Sequence, residues 1–500
     1  MTESNSSPPT GTRWRLLAVL IVLVSALIVL ALGLLLVSVM ERRWEAERPA
    51  LVLKPIKAFE PNNAVWGENY PREYETYAKT KDSTTRTKFG GSFPRDYLEE
   101  DPLMVVLFAG YGFSKDYLQA RGHAHAVEDV SKTKRIKHPV NAGTCWTCKS
   151  TDVPRLMDKM GPAAFYAANW HDLKKEIKYP IGCQDCHDPK TMNLRITRPA
   201  LREAYQAMGK NIDDATHQEM RSLVCAQCHV EYYFATEPKN YLTFPWKKGM
   251  TVDDMILYYD EMGFTDWVHA ISKTPIIKAQ HPDFEIWSTG VHAYQGVSCA
   301  DCHMPYKSEG GVKFTDHHVL SPLLNIANSC QVCHRWSETE IKERVEGIQT
   351  KVYNTRLKAE KALVEAHLAV AAAMEAGVDD KTLAPARKRI RHGQFRWDYE
   401  CANNGMGFHS PQESTRILAD AIDDAKEASI MVARLLASKA IASPETIPDV
   451  STRENAWNLA SLFVADTPPS LLSQAAPTGD APTEADTGED SQPPAPSKAE

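Results

Sequence analysis

Ten of the eleven cysteines fall in five C-x-x-C pairs, read in order as "TCWTCK", "GCQDCH", "VCAQCH", "SCADCH" and "SCQVCH". In the last four, a histidine directly follows the second cysteine: His187 after Cys183 and Cys186, His229 after Cys225 and Cys228, His303 after Cys299 and Cys302, His334 after Cys330 and Cys333. A zinc knuckle or a redox dithiol uses the same cysteine spacing, but neither needs that histidine. C-x-x-C-H is the attachment pattern of a c-type haem, in which two thioethers fix the macrocycle and the next residue becomes an axial ligand to iron. Four copies between residues 183 and 334 mark a multihaem cytochrome c.

The first pair, Cys145 and Cys148, is followed by Lys149. Its cysteine framework is intact, so a fifth haem is expected there. A lysine amine donates to a metal only when neutral, and binding holds it so. Each of the other four haems needs a second axial ligand, and thirteen further histidines are present. Bis-histidine haems are saturated and suited to passing electrons. A haem with an unusual proximal ligand is the natural place for an open distal face and for chemistry.

Around these turns the chain from residue 50 to 336 is loop-rich, and five macrocycles are expected to supply much of its apolar core. From Ser337 the texture changes. "SETE" is a capping box, and Ile341, Val345, Ile348 and Val352 follow at helical spacing. A second stripe, Leu418, Ile422, Ala425, Ser429, Val432 and Leu436, follows Pro411. Two such helices pack on each other or on a second subunit, and the pattern alone fits both. The fold class expected is mainly α: a multihaem cytochrome c fold with a loop-rich, haem-packed core and long C-terminal helices.

Residues 16–40 form an uncharged apolar run of 25 residues, long enough to span a bilayer. The run exceeds a secretory h-region and lacks a good small-residue cleavage site, which favours an uncleaved signal anchor over a cleaved signal. Residues 1–15 are then cytoplasmic, and the haem-bearing body lies on the periplasmic side, where such haems are attached. Residues 337–465 are assigned to the long helices and residues 467–500, rich in Pro, Ala, Asp and Glu, to a disordered acidic tail. A net charge of -7, concentrated in that tail, excludes nucleic acid as a partner.

One C-x-x-C-K followed by four C-x-x-C-H resembles the pentahaem cytochrome c nitrite reductases, the ammonia-forming enzymes. The stretches "FSKDYLQARGHAHAVEDV", "CAQCHVEYYF", "KAQHPDFEIWSTGVHA", "CADCHMP", "TDHH" and "GFHSP" agree with them, and the likeness covers residues 50 to 465. The resemblance implies six-electron, eight-proton reduction of nitrite to ammonium at the Lys149 haem. Arg135, Tyr232 and His281 would line its distal pocket. It implies His123, His292, His317 and His409 as distal ligands of the other haems, with His318 adjacent to His317. It also implies a Ca²⁺ held by Glu231 and Gln280 side chains and by the carbonyls of Tyr232 and Lys278. A homodimer through the long helices and a membrane-bound multihaem quinol dehydrogenase as electron donor complete the expectation. His125, His138, His171, His217, His269, His367 and His392 are left as surface or satisfied polar residues, and Cys401 as an inert buried thiol. Two alternatives stand beside this reading: a pure electron-transfer cytochrome, and a related reductase acting mainly on hydroxylamine or sulfur oxyanions.

Overall fold

The apolar run folds as helix α1 (Thr10–Ala46). Its stretch Trp14–Glu41 has a mean hydropathy of 3.3 and none of it is buried against the rest of the chain. Twenty-eight helical residues rise about 42 Å, more than the roughly 30 Å of a bilayer's hydrocarbon core. The computed structural model describes residues 10–46, 53–135, 142–442, 448–465 and 467–472. The expected segment before residue 10, His138 and the tail from residue 473 lie outside these.

Between residues 53 and 336 short helices alternate with loops and three two-stranded antiparallel ribbons. The elements that matter for the site are α2 (Leu103–Leu107), α3 (His217–Ala226), the ribbon β1 (Tyr233–Ala235) with β2 (Tyr241–Thr243), the ribbon β3 (Trp267–Val268) with β4 (Pro275–Ile276), and α4 (Asp283–Ser288). Each ribbon is only two to four residues long per strand, too short to build a sheet, so the loops are held by side chains instead.

Among the described residues, four helices follow residue 336: α5 (Glu338–Glu375), α6 (Asp380–Ala402), α7 (Pro411–Ser438) and α8 (Arg453–Val464). The expected capping box forms at the start of α5, where Glu340 N–H donates to Ser337 Oγ at 3.3 Å and Ser337 N–H donates to Glu340 at 2.8 Å. The helix stops at Gly377, whose φ of 75° lies in the left-handed region. There Gly377 N–H bonds to Met374 O and Val378 N–H to Ala373 O, both at 3.0 Å, the paired bonds of a Schellman stop.

Helices α5, α6 and α7 pack against one another within the chain. Leu363, Trp397, Leu418, Ala425 and Val432 join Val105, Leu107 and Phe108 in one core, so the long helices and the N-terminal part of the body are built on the same apolar centre. The partner of the α7 stripe is therefore intramolecular along Leu418, Ala421, Ala425, Ala428 and Val432. At the start of the segment expected to be a tail, Leu471 packs partly buried against this core and its N–H donates to Glu375 Oε2 at 2.7 Å.

Candidate active site and electron path

The turn carrying Lys149 is fixed from several sides. Gly143 packs so closely that a Cβ there would lie 2.5 Å from the Phe165 carbonyl and from Leu173, so only glycine fits. Trp146 stacks on Trp170 at 4.6 Å and donates its indole N–H to the Trp170 carbonyl. Arg198 is fully buried; its guanidinium donates to Thr147 O at 3.0 Å, to Ser150 O at 2.9 Å and to Asp185 of the second pair at 2.5 Å. The carbonyls on both sides of Lys149 are thus pinned to one planar cation, which also ties the first attachment turn to the second.

The other three expected pocket residues gather around this turn. The charge of Lys149 acts on His281 and on Cys145, and that of Arg135 acts on Cys145 and Tyr232. Arg135 lies against the Phe113 ring at 4.1 Å and its Nε donates to Thr133 Oγ1 at 3.1 Å. Thr133 is in turn held by Asp116 at 2.6 Å. Lys134 beside it is exposed and gives its backbone N–H to Asp116, at 2.8 Å. The "KAQH" segment is clamped by α6: Lys278 donates from Nζ to Asp398 Oδ1 at 2.8 Å, and Ala279 N–H donates to Asp398 Oδ2 at 2.9 Å. The Lys278 ammonium also contacts the Phe113 ring, at 4.7 Å, so one ring supports both Arg135 and the segment leading to His281.

Burial pushes the pKa of His281 below its ordinary value. Burial pushes the Tyr232 hydroxyl well above its ordinary value, so it stays protonated.

Glu231 is fully buried beside the pocket. It accepts from Gln280 N–H at 2.6 Å and from Tyr259 OH at 3.0 Å, and the Lys278 carbonyl meets the Gln280 side-chain amide at 3.2 Å. Burial holds its carboxyl well above the usual range, with the neighbouring Glu285 adding to the effect. Among the described residues no group of three or more His, Cys, Asp or Glu side chains is arranged to hold a metal. Glu231, the Gln280 side chain and the Lys278 carbonyl lie together, oxygen donors of the kind a hard divalent cation would take.

The eight histidines expected as haem ligands form four facing pairs. Ring centres are 6.4 Å apart for His123 and His229, 6.1 Å for His187 and His317, 6.3 Å for His292 and His334, and 6.3 Å for His303 and His409. Two imidazole nitrogens each about 2.0 Å from a shared metal put their ring centres roughly 6 Å apart, so each pair fits a single iron. His317 rather than His318 faces His187, with its Nδ1 held by Thr315 O at 2.7 Å. No spacing rule in the sequence could have given this pairing, since His123 precedes its partner's motif by a hundred residues.

Attachment cysteines of different sites lie near one another: Cys148 near Cys228, and Cys225 near Cys299. Cys186 lies near Cys228, and Cys302 near Cys330. The Lys149 site therefore adjoins the third, the third adjoins the second and the fourth, and the fourth adjoins the fifth.

The histidines left without a role are largely satisfied. His269 and His367 stack in the core at 3.8 Å, and His392 bonds to Asp260 at 2.7 Å. Cys401 accepts from Arg356 at 3.2 Å, and burial pushes its thiol up to about 12, which makes it a poor nucleophile.

A mainly helical chain that wraps loops around five C-x-x-C turns and sets four histidine pairs beside one lysine-bearing turn is a multihaem c-type cytochrome. The family model for cytochrome c552 matches residues 62–470. The chain belongs to the cytochrome c552 family. It is 51% identical over 446 residues to the cytochrome c-552 of Porphyromonas gingivalis, which covers 88% of this chain and 89% of that one. Over 462 residues it is 42% identical to the cytochrome c-552 of Maridesulfovibrio salexigens, with 88% and 90% covered. The solved cytochrome c nitrite reductase of Desulfovibrio desulfuricans, whose catalytic subunit has two calcium sites, matches with a TM-score of 0.73 at 32% identity over 76% of this chain and 88% of that one.

Proposed function

We propose that this chain is an ammonia-forming cytochrome c nitrite reductase with its active site at Lys149. The observation that carries the reading is the asymmetry of the five sites: four are flanked by paired imidazoles, and the fifth carries lysine with Arg135, Tyr232 and His281 collected around it. A haem bound there supplies the iron that takes the substrate and delivers its electrons. The protein's own residues do the rest. Arg135 attracts the anion and holds its oxygens. A protonated His281 attracts the anion beside Arg135. Tyr232 and His281 then protonate oxygens as the N–O bonds break. Glu231, Gln280 and the carbonyls of Tyr232 and Lys278 would hold calcium and brace both segments that bear these donors.

The remaining assignments fit around this centre. The four pairs serve as bis-histidine sites of an electron path whose end is the Lys149 haem. Helix α1 tethers the protein to the cytoplasmic membrane with the body in the periplasm. A membrane-bound multihaem quinol dehydrogenase is the donor, and a second copy docks along the long helices.

The test is nitrite turnover with a viologen donor and ammonium quantified, on the unaltered protein and on Lys149→His. The variant is expected to keep five haems and lose most of its turnover. Unchanged turnover removes the role given to the lysine, and a protein that reduces hydroxylamine or sulfite but not nitrite overturns the substrate.

A further inference from the structure

A histidine bound to a metal through one ring nitrogen is tuned by whatever its other nitrogen meets, because a stronger acceptor makes the ligand a better donor. Among the described residues, three of the paired histidines meet backbone carbonyls: His187 Nδ1 faces Met192 O at 2.8 Å, His303 Nδ1 faces Leu320 O at 3.0 Å, and His317 Nδ1 faces Thr315 O at 2.7 Å. His409 Nδ1 is buried without a partner among those residues. His229 differs from all of these, for its Nδ1 meets a carboxylate, Asp283 Oδ2, at 3.2 Å.

That carboxylate is built in. Asp283 is buried at the first residue of α4, where Asn404 N–H donates to its Oδ1 and the Asn404 side-chain amide to its Oδ2, both at 2.8 Å. The segment is stitched to the third motif as well, since Phe284 N–H donates to His229 O at 3.0 Å. Two residues before Asp283 lies His281, whose carbonyl accepts from Asp283 N–H at 2.7 Å. The same short segment thus reaches the substrate pocket at one end and the ligand of the neighbouring haem site at the other.

We infer that Asp283 is a positioning residue that makes the third haem a stronger reductant than its carbonyl-backed neighbours, at the last step before the Lys149 haem. A carboxylate accepting from Nδ1–H gives the imidazole more anionic character. That favours the ferric state and lowers the reduction potential. Cys148 lies near Cys228, and the segment His281–Asp283 joins the pocket to His229, so the third site adjoins the active one and its potential sets the drive of the final transfer. The inference rests on His229 as an iron ligand and does not depend on nitrite as the substrate.

The experiment is spectroelectrochemical titration of the purified holoprotein, which resolves reduction steps independently of turnover. Asp283→Asn is expected to shift one of the five midpoints to more positive potential and leave the other four in place, while Asp283→Glu keeps the low value. Asn404→Ala removes a donor from the oxygen that faces His229. It is expected to shift the same midpoint the opposite way, to more negative potential. A merely structural role would not give shifts of opposite sign. Unmoved midpoints in Asp283→Asn with five haems attached overturn the inference. If that variant does not load its haems, Asn404→Ala decides alone: a negative shift supports the role, and no shift or a positive one overturns it.

Discussion

Arg135 is steered by contacts made within its own neighbourhood: Thr133, the Asp116 behind it and the Phe113 ring. Its fork suits a small oxyanion, and a lysine there would offer a point charge without the geometry. Replacing Arg135 with glutamine is expected to lower kcat/KM for nitrite by about 100-fold, the scale of losing one preorganised donor at an oxyanion. Arg135→Lys should recover part of the loss, chiefly in KM. Steady-state rates checked against intact haem spectra decide it. At this scale the attachment residues were legible because covalent chemistry imposes their spacing. Arg198, Asp398 and Asp283 were not. Their partners lie 13 to 51, 119 to 120 and 54 to 121 residues away, and each reads in the sequence as an ordinary charged residue.

Among the elements, α5 announced itself through its cap and apolar stripe, whereas α6 did not. Its buried side mixes Leu383, Ala386, Ile390 and Trp397 with Arg387, Arg391, Gln394, Asp398 and Glu400, so the apolar stripe is masked by buried polar residues, and Pro385 sits within its first two turns. Those polar residues are the point of the helix, for they hold the loops that carry the site. Gln394 donates to Leu107 O of α2 at 2.6 Å and accepts from His367 of α5 at 2.6 Å. That fixes a neutral histidine in the core, and burial pushes its pKa down to about 4. The unfolded chain binds this proton below about pH 6.5 and the folded chain refuses it until about pH 4. Stability therefore falls as pH drops through that window, by about 3 kcal/mol across its full width. Thermal denaturation at pH 7 and pH 5 should show the loss, and His367→Gln should flatten the dependence. An unchanged slope in the variant would assign it to other groups.

At the level of the whole molecule, α1 stands apart from the body, which is organised on two large apolar cores and needs nothing from it. Removal of residues 1–46 behind a cleavable signal is expected to move the protein from the membrane fraction to the soluble periplasm, with viologen-driven turnover unchanged. Loss of haem loading or turnover on truncation would make the helix part of the enzyme. The sequence foretold the inventory of the molecule, five attachment turns and the histidines to serve them. It could not foretell which histidine faces which, because that depends on contacts between segments a hundred or more residues apart.

The adjoining attachment sites also set a capacity. Five haem irons, each cycling by one electron, store at most five, and converting one nitrite to ammonium takes six. A fully charged single chain is therefore one electron short of finishing the reaction it begins. Every turnover must be refilled midway, through the branch that meets at the third site, or must borrow from a second chain. A protein charged and then cut off from its donor should stall with a partly reduced nitrogen species still held in the pocket.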